Sequence, residues 1–119
     1  MRVLIADDNR EIRAALTLVL QELWPDCEVA EAGHESQVLD YLSSRPADIV
    51  LLDWDLDGRA AARIVGHIRA HQPAAAVVAM SSHPEARDDS LAAGATAFVG
   101  TSDPPEWLFG LLTRLGEDL

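Results

Sequence analysis

Three carboxylates set the chemistry open to this chain: Asp7, Asp8 and Asp53 each stand where an apolar run ends. Arg2-Val3-Leu4-Ile5-Ala6 runs into the Asp7-Asp8 pair, and Ile49-Val50-Leu51-Leu52 runs into Asp53. Apolar runs without alternation read as central strands of a parallel sheet, covered on both faces. The loops after such strands are where α/β folds build their sites. Three carboxylates in one crevice repel one another unless a cation joins them or one takes up a proton, so these residues ask first for a divalent metal. All nine basic residues are arginine; with no lysine, any mechanism that needs a lysine is excluded.

The elements that must position these groups alternate along the chain, five strand-like and five helix-like, the pattern of an α/β domain with a parallel sheet. Asn9 suits an N-cap, and Ile12, Leu16, Val19, Leu20 and Leu23 recur at helical spacing until Pro25 ends the run. A second strand around Cys27 to Glu31 leads through Gly33 to a helix with Val38, Leu39 and Leu42 inward, closed near Pro46. The third helix carries Ala61, Ile64, Val65 and Ile68 on one face and His67 and His71 on the other, and Pro73 stops it. Strand four, Ala76 to Met80, ends at Ser81-Ser82. A short helix from about Pro84 to Ala93 meets Gly94, a natural C′ residue, before strand five at Thr96 to Val99. Asp103-Pro104-Pro105 then offers a cap and a first-turn proline to the last helix. Right-handed crossovers predict one domain over residues 1–119, a doubly wound sheet with helices on both faces.

Bulk properties narrow the function classes. A chain of 119 residues removes roughly two-thirds of its unfolded surface from water as a single domain. The single cysteine, Cys27, excludes an intrachain disulfide and reads as a half-buried strand residue. Twenty acidic against nine basic residues give a net charge of −11, which repels phosphate backbones and argues against direct contact with nucleic acid or an anionic membrane. No apolar run approaches the ~20 residues of a membrane span, and Met1 passes straight into a strand pattern with no export signal, so the expected location is the cytoplasm.

With strand order 2-1-3-4-5, Asp7-Asp8, Asp53 and Ser81-Ser82 fall at one crevice. This constellation, with Phe98 in strand five, resembles the receiver domain of two-component response regulators, of the chemotaxis-regulator type, and the resemblance covers the whole chain. It implies a flavodoxin-like (βα)5 fold. It also implies Mg²⁺ held by Asp7, Asp8, Asp53 and the main-chain carbonyl of Asp55, with Asp53 accepting a phosphoryl group from a histidine kinase or phosphotransfer protein. Ser81 would hydrogen-bond that group, and Phe98 would change rotamer as the switch passes to a downstream effector. The positions two after the phosphoacceptor and two after Ser81, Asp55 and His83, would govern how fast water reaches the phosphoryl group.

The match departs at the end of strand five. Thr101 stands where the family has lysine and Ser102 where it has proline; in the loop after Asp53, Asp57 replaces the usual proline and Ala61 the usual glycine. A merely arginine-rich composition would place arginine, not threonine, at position 101. Arg59 and Arg87 flank the crevice in sequence as candidate substitutes, with solvation the plainer reading. Two function classes follow: a receiver switched by phosphorylation of Asp53, and a pseudo-receiver acting as an unphosphorylated interaction module. An enzyme with an external substrate is not expected, since no cofactor motif or pocket-forming insertion is evident.

Other motifs fall away. Asp53-Trp54-Asp55-Leu56-Asp57-Gly58 opens like an EF-hand loop, but Ile64 stands where the bidentate glutamate belongs. The Asp53-x-Asp55 spacing also resembles haloacid-dehalogenase phosphatases, which carry that motif on the first strand and need more chain. His67 and His71, at i and i+4, lack an acidic third ligand and read as solvated; His34 shows no partner. The last helix, with Trp107, Leu108, Phe109, Leu111, Leu112 and Leu115, is more apolar than one buried stripe needs, so part of it is expected to face a partner. The resemblance points to a homodimer through helix four, strand five and helix five.

Overall fold

The computed structural model describes residues 1–119 as ten alternating elements: β1 (Arg2–Ala6), α1 (Arg10–Leu23), β2 (Glu28–Ala32), α2 (Glu35–Ser44), β3 (Ile49–Asp53), α3 (Ala60–His71), β4 (Ala76–Ser81), α4 (Ala86–Ala93), β5 (Ala97–Gly100) and α5 (Pro105–Glu117). The five strands pair in parallel in the order β2-β1-β3-β4-β5. This is the flavodoxin-like doubly wound arrangement expected from the sequence. The register aligns Ala6 with Leu52, Asp53 with Met80 and Ser81 with Gly100, so the C-terminal ends of β1, β3, β4 and β5 share one edge.

Alternation within the strands divides the core. Leu4, Ala6, Val50, Leu52 and Val77 point to the face covered by α2 and α3, where they meet Val38, Leu42, Ile64, Val65 and Ile68. Val3, Ile5, Ile49, Leu51 and Val78 point to the other face and meet Leu16 and Leu20 of α1 and Leu112 of α5. Most of these side chains are wholly buried, each adding roughly 1.5–3 kcal/mol relative to an exposed position. Such packing holds the strand ends, and the carboxylates on them, in fixed relation.

Arg69 of α3 is a second fixing device: Nε donates to the Gly94 carbonyl at 2.9 Å, Nη1 to the Ala75 carbonyl at 2.7 Å and Nη2 to Thr96 Oγ1 at 3.2 Å. Gly94 ends α4 at φ 113°, where a Cβ would also press on Val65 Cγ1 at 3.3 Å.

Several local expectations need correction. Cys27 lies before β2 rather than in it, because the chain turns at Pro25-Asp26 and pairs only from Glu28. Ile12 does not join the buried stripe; it is 39% exposed and lines the acidic cleft beside Asn9. Asp103 does not cap α5, since its carboxylate accepts the Gly100 N–H at 2.7 Å and Pro104 occupies the cap position. His67 is half-buried rather than solvated. Its ring stacks on His71, with centroids 4.2 Å apart and 21° between planes, so the pair is no chelate: a metal must lie in the plane of each imidazole it binds, and stacked rings share no such point.

Candidate functional site

Carboxylate oxygens of Asp7, Asp8 and Asp53 lie within 4.8 Å of one another. Asp7 follows β1 and is only 8% exposed. Its main-chain N–H donates to Ala32 O at 3.0 Å, its Oδ1 accepts the Asn9 N–H at 2.8 Å and its carbonyl accepts Arg13 Nη1 at 2.7 Å. Asn9 caps α1 by accepting the N–H groups of Glu11 and Ile12, so one turn fixes both the helix start and the first acid. Asp53 closes β3, and its Oδ1 accepts the Asp55 N–H at 3.0 Å.

The electrostatics follow from this crowding. Burial pushes the Asp53 carboxyl up to about 6; the Asp55 N–H opposes that rise, while the charges of Asp7, Asp55 and Asp8 add to it. Asp7 is also held above the usual carboxylate range, by burial first, against the Asn9 N–H, with Asp8 raising it further and Arg13 lowering it. The cleft is lined by Asp7, Asp8, Asn9, Ile12, Asp53, Asp55, Met80, Ser81, Ser82 and Thr101, with no basic residue among them.

Ser81 ends β4 with its side chain buried. Its hydroxyl donates to Asp55 Oδ2 at 3.1 Å and accepts the His83 N–H at 3.0 Å, while His83 Nδ1 lies 3.3 Å from the same Asp55 oxygen. Thr101 is exposed at the end of β5, tied by its N–H to the Ser81 carbonyl at 3.0 Å. Phe98 is half-buried and faces away from the acids, into a groove between α4, β5 and α5.

Neither candidate for the missing cation lines the cleft. Arg59 faces a groove between α3 and α4, and Arg87 the groove that holds Phe98. The guanidinium beside the acids is Arg13, which sequence reading missed because its partners, the Asp7 carbonyl and Glu31, come from two other elements. His34 does have a partner: Asp57 Oδ1 lies 3.4 Å from its Nδ1, and Asp57 Oδ2 accepts the Glu35 N–H at 2.7 Å. Asp57 thus caps α2 from the β3–α3 loop, at φ 47°, a conformation that aspartate tolerates and proline cannot adopt.

Comparison with known proteins resolves the family. A family model for the response regulator receiver domain matches residues 3–101. The chain belongs to that family. This receiver domain is 25% identical to the signal receiver domain of a DNA-binding response regulator protein from Colwellia psychrerythraea 34H, with a TM-score of 0.87 and 98% of both chains covered. The response regulator TrrA of Thermotoga maritima, solved in complex with Mg²⁺-BeF, is 28% identical, with a TM-score of 0.83 over 96% of this chain and 97% of that one. Among curated proteins, the transcriptional activator protein ExaE of Pseudomonas putida is 29% identical over 117 residues; the chain spans 55% of that relative's length. The domain is therefore a signalling module of two-component systems. None of its helices is long and apolar enough to cross a membrane.

Proposed function

We propose that Asp53 is the phosphoacceptor of this receiver domain, with Asp7 and Asp8 as its metal acids and Ser81 as the group that binds the phosphoryl oxygen. The observation that carries this reading is the position of Asp53: at the end of β3, crowded by two acids, with its carboxyl raised to about 6. One oxygen is held by the Asp55 N–H and the other makes no hydrogen bond within the protein.

The donor set fits a hard divalent cation, because only oxygens converge on it and no basic residue lines the cleft to offset their mutual repulsion there. Asp7, Asp8, Asp53 and the Asp55 carbonyl would hold Mg²⁺. Bound there, the ion supplies positive charge against the phosphoryl oxygens. Asp53 contributes a carboxylate oxygen to phosphorus as the P–N bond of a phosphohistidine breaks, and the imidazole released takes a proton from solvent. Ser81 has a hydroxyl to donate to a second phosphoryl oxygen. Thr101 supplies no ammonium for the third.

The donor is a histidine kinase or phosphotransfer protein, and the readout is an effector or a second receiver. The face between α4, β5 and α5 suits that readout: a groove of about 470 Å³ is lined by Leu91, Phe98, Trp107 and Leu111 among others, and Trp107 is 60% exposed while Leu112 of the same helix is buried. The charge of −11 favours protein partners over nucleic acid.

Incubation with a small phosphodonor and Mg²⁺, read by intact mass, tests the assignment. Wild type is expected to gain one phosphoryl group and Asp53→Asn none. No gain in wild type or in Thr101→Lys would instead leave the phosphorylation-independent interaction module.

A further inference from the structure

Asp55 touches both the proposed phosphoacceptor and the serine proposed to bind its phosphoryl group. Its main-chain N–H holds Asp53 Oδ1 at 3.0 Å, and its carboxylate accepts the Ser81 hydroxyl at 3.1 Å. A serine hydroxyl has a single proton, so it donates either to Asp55 or to an oxygen of a phosphoryl group on Asp53. One of its two lone pairs already accepts the His83 N–H at 3.0 Å. His83 Nδ1, 3.4 Å from Ser81 Oγ and 3.3 Å from Asp55 Oδ2, closes the cluster. Ser81 is 2% exposed, so water offers little alternative as acceptor, and of the two protein acceptors in reach the Asp55 carboxylate at 3.1 Å is nearer than His83 Nδ1 at 3.4 Å.

We infer that the Asp55 carboxylate is a resting latch on the switch serine: it keeps the Ser81 proton turned from Asp53, and a phosphoryl group engages Ser81 only by displacing Asp55. This rests on Asp53 being the phosphoacceptor. The latch makes Asp55 a positioning residue that sets how readily modification of Asp53 reaches Ser81. A hydrogen bond to a charged acceptor is roughly twice as strong as a neutral one, so the carboxylate is the stronger competitor and an amide in its place a weaker one. The switch then has a threshold set by a residue whose own role does not require it to touch the phosphoryl group.

Removing Asp55 also removes a negative charge from the cleft, and the two effects separate by their dependence on Ser81. Beryllofluoride with Mg²⁺, a phosphoryl mimic, is titrated into wild type, Asp55→Asn and Asp55→Ala, each with Ser81 present and with Ser81→Ala. With Ser81 present, the latch predicts affinity rising from wild type through Asp55→Asn to Asp55→Ala, by about fivefold to tenfold overall. In the Ser81→Ala background only the part of the gain that comes from the lost charge remains, so the gain is smaller there. An equal gain in both backgrounds would show that charge alone acts, and would overturn the latch.

Thermal melts in EDTA, with neither metal nor phosphoryl mimic, give a second reading. The Asp55→Ala and Ser81→Ala losses are expected to be non-additive, since each variant breaks the same bond. Additive losses would overturn the latch whatever the titration shows. Failure of every variant to bind beryllofluoride, with labelling also absent, would instead overturn the phosphoacceptor reading, and the melts would still judge the Asp55–Ser81 contact.

Discussion

The two sides of the cleft are built to different standards. On the β1 and β3 side, two of the three acids are placed by named bonds: Asp7 by Asn9 and Ala32, and Asp53 by Asp55, with capped α1 behind them. On the β5 side, Thr101 stands exposed, without charge, in a turn held by Asp103 on the Gly100 N–H. The first side has the groups a nucleophile and a cation need; the second lacks the cation that would offset the developing phosphoryl charge. The difference teaches that the metal half of such a site can be complete while its counter-charge is missing, because the two are carried by separate strands.

Restoring the counter-charge is the most direct way to break the comparison. Thr101→Lys is expected to raise the rate of phosphodonor labelling by about tenfold, the difference between a charge-assisted bond and a neutral one. Equal rates in wild type and variant, measured by intact mass over time, would mean that the β5 side is not the weak one.

A smaller effect is expected from the crowding on the acid side. In EDTA, native Asp53 keeps its proton up to about pH 6, whereas an unfolded aspartate releases it near 3.8. Between those values the native state holds the extra proton, so stability falls as pH rises through the window and the penalty is complete above it. Asp53→Asn should therefore raise the melting temperature by several degrees at pH 7, with the gain vanishing below pH 3.8. Mg²⁺ should remove much of the wild-type deficit at pH 7. A gain independent of pH would mean that the acids do not strain one another.

The smallest effect concerns the loop between β3 and α3. Asp57→Ala removes the cap on α2 at Glu35 and should cost about 1 kcal/mol, a few degrees in a melt, with Asp57→Asn nearly neutral because its side-chain oxygen can still cap. Exposed Arg63 and half-buried Glu35, paired at 3.0 Å, continue the link from α2 to α3. A large loss of phosphodonor labelling in Asp57→Ala would show that this loop, not only the strand ends, holds the acid side in place.

Most of the fold was legible because burial leaves a period in the chain. Strands such as Ile49–Leu52, buried on both faces, read as continuous apolar runs, and α3 shows its inward face at helical spacing. The acids and Ser81 were legible for the same reason, since each follows such a run and parallel strands end on one edge. Single polar partners were not. Asp103 suited a cap by type and position, yet it serves the Gly100 N–H, and Pro104 holds the cap position. His34 showed no partner, yet it lies beside Asp57, 23 residues away.

What the sequence by itself determined is the order of elements, the edge on which Asp7, Asp8, Asp53 and Ser81 meet, and the absence of a lysine to join them. All three follow from local pattern and composition. Tertiary structure decided which hydrogen bond each polar group makes: Arg13 on the Asp7 carbonyl, Asp57 on α2, and Asp55 on Ser81. Hydrophobic burial is non-directional and repeats along the chain, so it leaves a readable period. A hydrogen bond is a single directed contact between groups far apart in sequence, and its partner exists only once the sheet has brought the two strand ends together.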